Sequence, residues 1–170
     1  GGTIGGELTR QIASCRPGEL IMLDISEFHL YQIEREIRAA FPQLCLTAIL
    51  GDVRDLRHVD SIFDRHRPSL VFHAAAIKHV PIGEMNIEET ILTNVFGTRH
   101  IAEACERYGA EVMVLISTDK AVNPTNVMGA SKRLAESYCQ ALGEAGRGGR
   151  DPKFITVRFG NVLGSTGSVV

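Results

Sequence analysis

The sequence predicts an α/β fold built on a doubly wound parallel β-sheet. Five short apolar runs alternate with longer segments that have the periodicity of amphipathic helices, and this alternation is typical of parallel sheets. Polar and titratable residues follow several of the runs, as they do where strands end at a ligand crevice. The predicted strands lie at residues 19–23, 44–50, 69–72, 111–116 and 154–158.

The chain opens on glycines, Gly1-Gly2-Thr3-Ile4-Gly5-Gly6, which predict a loop ahead of a helix over residues 7–15. Glycines in such a loop allow the main chain to approach a phosphate, and the helix N-terminus that follows offers free N–H groups. A simple turn or an expression scar has the same composition, so the glycines alone leave these interpretations open.

Asp24 ends the first strand and stands 19 residues after Gly5. This is close to the spacing of the acidic residue that binds the adenosine ribose in dinucleotide-binding folds. The other interpretation is a turn carboxylate before a helix that Ser26 opens and that runs to about Ala40. The preceding glycines favour the ribose role. An acid here also favours NAD over NADP, because it repels a 2'-phosphate.

The second and third strands also end in candidate ligand contacts. An aspartate in Gly51-Asp52-Val53-Arg54-Asp55 is able to contact adenine or to cap the helix that runs on to about Arg65, and the residues favour neither role. After His73 come Ala74, Ala75 and Ala76, whose small side chains allow either a ligand or a neighbouring helix to lie close.

A long helix is predicted over residues 86–107, and Pro81 argues against its starting earlier. Asn94 falls on the apolar face of this helix, where a polar side chain needs a partner. The fourth strand leads into residues 117–132, which place two lysines and a carboxylate at a strand end, and into a helix over 126–142. Such groups are better placed there for chemistry than for folding.

Composition excludes several classes of protein. Apolar residues make up 44% and charged residues 22% of the chain, which is ordinary for a globular domain. The net charge of -2, with both signs interspersed, predicts no nucleic-acid partner. The cysteines and histidines lack metal-ligand spacing, so we expect buried free thiols and no metal. There is neither a spanning apolar run nor a signal peptide, which predicts a cytoplasmic location.

Six motifs together resemble one family, the polysaccharide-biosynthesis branch of the extended short-chain dehydrogenases/reductases, of the UDP-N-acetylglucosamine 4,6-dehydratase type. The resemblance covers nearly the whole chain. It implies an NAD-binding Rossmann-type domain over residues 1–170 that lacks the first strand and the substrate-binding portion, with no separate second domain. The motifs are Gly-Gly-Thr-Ile-Gly, Leu-Asp-Ile-Ser-Glu-Phe, Gly-Asp-Val-Arg-Asp, His-Ala-Ala-Ala-Ile-Lys-His-Val-Pro, Ser-Thr-Asp-Lys-Ala-Val-Asn-Pro-Thr-Asn-Val-Met-Gly-Ala-Ser-Lys-Arg and Arg-Phe-Gly-Asn-Val-Leu-Gly-Ser.

The resemblance also implies a reaction and a set of binding residues. NAD takes a hydride from sugar C4, water is lost across C5 and C6, and the hydride returns to C6, which gives a UDP-4-keto-6-deoxy sugar for surface polysaccharide or glycan biosynthesis. Lys78 and Asn161 would contact the UDP-sugar. The cofactor contacts that it implies are Gly2, Thr3, Ile4, Gly5, Asp24, Ser26, Asp52, Val53, Ala74, Ala75, Ala76 and Lys132.

The catalytic residues implied by the resemblance lie in the stretch 117–132. Thr118 resembles the hydroxyl that binds the C4 oxygen, Asp119 and Lys120 the acid and base of the elimination, and Lys132 the lysine of the nicotinamide ribose. A lysine acts as a base only when burial or a neighbouring positive charge lowers its pKa.

Met128 stands where most short-chain dehydrogenases have the tyrosine of Tyr-x-x-x-Lys, and methionine accepts no proton. The residue alone favours a role in packing. A subset of the dehydratases carries methionine there, so the resemblance implies that the substitution is typical of a subgroup. Asp119 is then the group that takes the C4 hydroxyl proton.

Two other functions stay open at this point: a nucleotide-sugar epimerase of the same fold, and a non-catalytic dinucleotide-binding module or inactive fragment. We expect these 170 residues by themselves not to turn over substrate, because the first strand and the sugar-binding part are missing from the pattern. The resemblance further predicts a homo-oligomer for the full-length protein. An upstream membrane segment, as in many methionine-type relatives, would place that protein on the cytoplasmic face of the inner membrane.

Overall fold

The computed structural model describes residues 2–146 and 151–160, which form helices and parallel strands in two compact units. This arrangement confirms the predicted α/β class. The first unit comprises the described residues up to Asp52, and the second comprises those from Val53 onward. Among the described residues, no helix is both long enough and apolar enough to cross a bilayer.

The first unit alternates helices and strands around a small apolar core. Its elements are α1 (Thr3–Ser14), β1 (Leu20–Asp24), α2 (Glu27–Ala40) and β2 (Leu46–Leu50). The two strands run parallel, with Leu20 opposite Leu46. Helix α2 begins where predicted, because the Ser26 side chain accepts the His29 N–H group as an N-cap. The core residues are Ala13, Leu20, Met22, Leu30, Ile33, Ile37 and Leu46.

The glycine-rich start is helical rather than a loop, so the predicted helix start at residue 7 is wrong by one turn. Gly2 is the N-cap, and the Gly6 N–H group already donates to the Gly2 carbonyl at 2.7 Å. Glycine disfavours a helix interior only weakly, by about 1 kcal/mol relative to alanine, so the helix extends through these positions.

The second unit contains a three-stranded parallel sheet in the order β3-β4-β5. Its strands are β3 (Leu70–His73), β4 (Val112–Thr118) and β5 (Lys153–Phe159). Leu70 lies opposite Val112, which lies opposite Lys153. The helices are α3 (Leu56–His66), α4 (Val80–Met85), α5 (Ile87–Ile91), α6 (Thr98–Tyr108) and α7 (Val127–Glu144).

The long helix predicted over residues 86–107 is present but is not a regular α-helix. Between α5 and α6 the chain forms a π-helical segment, Leu92–Gly97, which contains Asn94. Single-turn π-segments inside α-helices are frequent at functional sites, and the apolar periodicity that predicts a helix does not reveal them.

The four cysteines are free thiols, but only Cys105 and Cys139 are buried. Cys15 and Cys45 are exposed, so the expectation of buried thiols is wrong for these two. Cys15 follows the end of α1, and Cys45 precedes β2, so neither side chain belongs to the inner face of an element.

Candidate active site

The candidate active site lies at the carboxyl ends of β3, β4 and β5, which meet at one edge of their parallel sheet. Strand β4 ends at Thr118, directly opposite Phe159 of β5. A 3₁₀ turn (Asp119–Ala121) then leads to Asn126, whose side chain accepts the Gly129 N–H group and caps α7. The stretch 117–132 therefore runs from a strand end into the first turns of a buried helix.

Thr118, Asp119 and Lys120 contact one another at this strand end. The Thr118 hydroxyl donates to Asp119 Oδ1 at 3.0 Å, and Lys120 Nζ donates to the same oxygen at 3.1 Å. The hydrogen bond from Lys120 is the largest cause, and that from Thr118 the next, of a pKa of Asp119 below its ordinary value. The Asp119 side chain is 57% exposed and that of Lys120 is 37% exposed, so both are accessible to a ligand.

Lys132 is buried beside this cluster, on the first part of α7. It is 5% exposed, and its Nζ donates to the main-chain carbonyl of Ile116 at 2.9 Å. Burial lowers the pKa of Lys132 to about 8, and the negative charge of Glu136 opposes this shift. The charge of Lys132 is therefore expected to change close to neutral pH.

His73 ends β3 as a buried neutral imidazole. Its Nε2 lies 3.0 Å from Thr98 Oγ1, and Thr98 gives its only hydroxyl proton to the Asn94 carbonyl at 2.7 Å. His73 Nε2 must then be the donor to Thr98. Burial, followed by the nearby Lys132 charge, lowers the pKa of His73 to about 3.

Asn94 has the partners that its place on an apolar face requires, which confirms that prediction. Its Oδ1 accepts the Ile77 N–H group at 2.8 Å, and its Nδ2 donates to the Ile77 carbonyl at 3.0 Å and to Ser131 Oγ at 2.9 Å. Asn94 thereby fixes the irregular segment after β3, which contains Ala74, Ala75 and Ala76, to helix α7. Lys78, in the same segment, is exposed.

Met128 is buried against α4, which agrees with the packing role that its side chain alone favours. It is 3% exposed, and a Cβ on Gly83 would lie 3.5 Å from Met128 Cβ. The next residue, Gly129, has no room for a side chain, since a Cβ there would overlap the Lys120 carbonyl. The Val127 N–H group is held by Glu84 Oε1 at 2.6 Å.

The predicted cofactor residues of the first unit are accessible main-chain and carboxylate groups. A Cβ placed on Gly2 or Gly5 meets no atom of the described residues within 4 Å, so a phosphate has room to approach the start of α1. Asp24 Oδ1 accepts the Ser26 N–H group at 2.7 Å, so this carboxylate also shapes the turn into α2. The residues present therefore fit a dinucleotide.

Of the two roles that the sequence left open for the aspartates of residues 51–55, the structure assigns the helix cap. Asp55 caps α3 by accepting the Arg57 and His58 N–H groups, so Asp52 is not that cap. Val53 is 8% exposed, its carbonyl lies 3.1 Å from His100 Nδ1, and Gly97 packs on its side chain.

Asn161 lies outside the described residues. Gly160 comes before it, and a Cβ on Gly160 would lie 3.8 Å from Asp119 Oδ2. In the part of the chain that the structure describes, no group of three or more His, Cys, Asp or Glu side chains is placed to hold a metal ion.

Sequence reasoning missed Glu136, a buried carboxylate four residues after Lys132 on α7. Glu136 Oε1 accepts a hydrogen bond from Ser117 at 2.6 Å, and the carboxylate pairs with Arg158. Residues four apart share a helix face, and this spacing was the available signal. His73 was treated only as the residue before the alanines, although it is buried beside Lys132.

A parallel sheet with titratable groups at its carboxyl edge defines the class as an α/β protein of the Rossmann type. The chain belongs to the family described as polysaccharide biosynthesis protein, whose pattern matches residues 1–170. The family branch suggested by the six motifs is confirmed at this level. The dehydratase subgroup stays a prediction.

Named relatives match the chain over its full length but are themselves much longer. The probable polysaccharide biosynthesis protein EpsC of Bacillus subtilis is 45% identical over 100% of this chain and 28% of its own length. The UDP-N-acetylglucosamine 4,6-dehydratase (inverting) of Campylobacter jejuni is 34% identical over 99% of this chain and 49% of its own. The chain therefore spans about half or less of these relatives.

A solved structure supports the assignment of the fold. The X-ray structure of Pen from Bacillus thuringiensis is 34% identical and superimposes with a TM-score of 0.90. It is matched over 99% of this chain and 50% of its own. The predicted Rossmann-type fold is thereby confirmed.

Proposed function

We propose that these residues are the cofactor-binding and proton-transferring part of an NAD-dependent UDP-N-acetylglucosamine 4,6-dehydratase. The observation that carries the proposal is the contact cluster of Thr118, Asp119 and Lys120 at the end of β4, beside the buried Lys132. A hydroxyl, a carboxylate and an amine in mutual reach are the groups that oxidation at C4 followed by loss of water requires. The identity with the Campylobacter jejuni dehydratase supports this choice of reaction.

We propose the following contacts to NAD, given for each unit by itself. In the first, the N–H groups at Gly2, Thr3, Ile4 and Gly5 would bind phosphate, and Asp24 with Ser26 would bind the adenosine ribose. In the second, Val53, with Asp52 before it, would contact adenine, Ala74 to Ala76 would line the cofactor, and Lys132 would bind the nicotinamide ribose. NAD, when bound, accepts the hydride from C4 and returns it to C6.

Asp119 is suited to take the first proton. Its pKa lies below the ordinary value, so the side chain is a carboxylate near neutral pH and accepts the C4 hydroxyl proton as the hydride departs. Thr118, whose hydroxyl is already bonded to Asp119, is placed to orient the C4 oxygen. Met128, buried and aprotic, takes no part in this transfer.

The same two groups then carry out the elimination. Protonating Asp119 removes the negative charge paired with the Lys120 ammonium, which then gives one proton to solvent and becomes the neutral amine that the next step needs. Lys120 takes the C5 proton, the C5–H electrons form the C5–C6 double bond, and Asp119 returns its proton to the departing C6 hydroxyl as water. Lys120, whose N–H protons exchange with solvent, then gives a proton to C5 as the hydride reaches C6.

Lys78 and Asn161 are our proposed contacts to the UDP-sugar. We further propose that the full-length protein is a homo-oligomer that acts in the cytoplasm or at its membrane face. These statements concern the whole protein, of which the described residues form one part.

The test is product analysis with the full-length protein, UDP-N-acetylglucosamine and NAD, followed by NMR in heavy water. A dehydratase gives a 4-keto-6-deoxy sugar with deuterium at C5. Asp119→Asn and Lys120→Gln should each lower kcat by about 100- to 10,000-fold. Asp64→Asn, which alters an exposed aspartate paired with Arg67, serves as the matched control and should keep full activity.

Other outcomes would contradict the proposal in distinct ways. A C4-inverted sugar that keeps its C6 hydroxyl identifies an epimerase. NAD binding that is unaffected by Lys120→Gln, with no turnover, identifies a non-catalytic module. Full turnover by Asp119→Asn removes Asp119 from the mechanism. The 170 residues alone are predicted to give no 4-keto sugar, and detecting one contradicts that prediction.

A further inference from the structure

Glu136 is a buried carboxylate that has no role in the steps above. It lies on α7 one turn after Lys132, and its side chain is 6% exposed. A carboxylate is stable in such a place only when its oxygens are paired and hydrogen-bonded. Its partners therefore show which parts of the unit it holds together.

The carboxylate joins α7 to two neighbouring strands at their carboxyl ends. Ser117 Oγ donates to Oε1 at 2.6 Å, while Arg158 donates through Nε to Oε1 at 3.0 Å and through Nη2 to Oε2 at 2.6 Å. Arg133 Nη1 lies 3.5 Å from Oε2. Ser117 and Arg158 face each other in the β4–β5 register, so a single side chain fixes both strands to the helix.

Two successive residues of β4 are thus held by α7. Lys132 binds the Ile116 carbonyl, and Glu136 binds the Ser117 hydroxyl. Thr118 follows immediately and leads into Asp119 and Lys120. The position of the reactive cluster relative to Lys132 is therefore set by these two attachments.

We infer that Glu136 is a positioning residue, which holds the end of β4 so that Thr118, Asp119 and Lys120 stay in register with Lys132. The expected effect on catalysis rests on the proposed function, whereas the structural coupling of Glu136 to β4 does not. Glu136 acts on Lys132 electrostatically as well. Among the described residues, the titratable groups that influence Lys132 are His73 from β3 and Glu136 and Cys139 from α7.

The experiment compares Glu136→Gln with Glu103→Gln in the full-length protein. Glu103 is a matched control because it also accepts from an arginine, Arg99 at 2.7 Å, and from a hydroxyl, Tyr138 at 2.8 Å, but it joins α6 to α7. Amide hydrogen exchange at residues 118–120 should rise about tenfold or more in Glu136→Gln and stay unchanged in Glu103→Gln.

Turnover and the titration of Lys132 give the second readout. Glu136→Gln should lower kcat by about 10- to 100-fold with little change in KM, as expected for a small displacement of catalytic groups. The midpoint of the Lys132 titration, followed by NMR, should move to lower pH because a compensating negative charge is lost. Glu103→Gln should leave both unchanged.

Ser117→Ala keeps the inference testable should Glu136→Gln fail to fold. It removes the hydroxyl link to β4 and leaves the ion pair with Arg158, so it should raise exchange at 118–120 and lower kcat. Unchanged exchange in the folded variants, or changed exchange with unchanged kcat, overturns the inference. Changed exchange in a protein whose wild type makes no 4-keto sugar overturns the proposed function and leaves the coupling of Glu136 to β4 in place.

Discussion

Lys132 Nζ donates to the main-chain carbonyl of Ile116 across 2.9 Å, from a side chain almost completely removed from solvent. The bond ties the start of α7 to β4 two residues before the reactive cluster. A single neutral acceptor compensates only part of the cost of burying an ammonium group, and burial therefore lowers the pKa of Lys132 to about 8. The buried charge makes the stability of the protein depend on pH.

The first prediction concerns Lys132→Met at alkaline pH. The folded pKa of about 8 lies below the unfolded value of 10.5, so between these pH values the unfolded chain binds more protons. The free energy of unfolding should therefore rise with pH in this window, with a slope of up to about 1.4 kcal/mol per pH unit. The variant lacks this rise.

Guanidinium titrations of both proteins across the window measure the effect. The stability of the variant relative to wild type should fall steadily from pH 8 to pH 10.5. Lys153→Met, at an exposed lysine that begins β5, should show no such trend. A constant difference between wild type and Lys132→Met would mean that Lys132 titrates normally.

The second prediction concerns His73 in mild acid. Its folded pKa of about 3 lies below the unfolded value of 6.5, so the unfolded chain gains a proton first as the pH falls. Stability should decline below pH 6.5, again by up to about 1.4 kcal/mol per pH unit. His73→Gln keeps a donor for Thr98 but does not titrate, and it should lose this part of the acid sensitivity.

Urea titrations of wild type and His73→Gln above pH 4.5 measure the contribution of His73, because the buried Glu136 carboxylate has a pKa below its ordinary value of 4.5 and stays charged in the folded protein. His29→Gln, at an exposed position on α2, is the control and should behave as wild type. An acid response of His73→Gln equal to that of wild type would contradict a buried neutral imidazole.

The strands and most helices were predictable because they depend on local patterns. The Ser26 cap of α2 and the need of Asn94 for a partner follow from side-chain chemistry at known positions. The π-helical segment 92–97 was not predictable, since it depends on contacts with segments distant in sequence. Helix α1 begins within the glycine-rich stretch, although glycine usually disfavours helices.

Some residues of the candidate site were likewise predictable from the sequence, and others were not. The concentration of charge at 118–120 was visible because it follows an apolar run. The link from Glu136 to Ser117 and Arg158 spans 19 and 22 residues along the chain, and no local pattern predicts such a pairing. Lys132 is buried, whereas the Lys120 side chain is exposed. The sequence does not distinguish the two lysines in this way, because exposure is determined only once the chain has folded.

The third prediction concerns Gly129→Ala. Alanine ordinarily favours a helix by about 1 kcal/mol over glycine. Here the new Cβ would overlap the Lys120 carbonyl, which is main chain and has little freedom to move. We expect a net loss of about 1–3 kcal/mol, together with displacement of Asp119 and Lys120.

Thermal denaturation and the amide chemical shifts of residues 119 and 120 provide the measurement. Gly143→Ala is the matched control on the same helix, because its Cβ would lie 3.4 Å from the Phe154 ring, at the edge of ordinary contact. It should be neutral or stabilising. Equal stability of the two variants would show that α7 does not approach the 3₁₀ turn closely.

The last prediction concerns Asn94→Ala, which removes all three amide hydrogen bonds of that side chain. The loss leaves the Ile77 main chain and Ser131 without those partners, at a cost of about 1–3 kcal/mol for each group that stays buried and unpaired. Because Asn94 fixes the segment with Ala74 to Ala76, we also expect weaker binding of NAD, measured by calorimetry on the full-length protein.

Asn86→Ala is the matched control for this change. Asn86 directly precedes α5, is exposed, and donates one side-chain hydrogen bond, from Nδ2 to the Ile82 carbonyl at 2.9 Å, so its loss should cost at most about 1 kcal/mol. Lower stability of Asn94→Ala with unchanged NAD affinity would separate the two effects, because Asn94 would then hold helix α7 without shaping the cofactor segment. Unchanged stability would contradict the hydrogen bonds themselves.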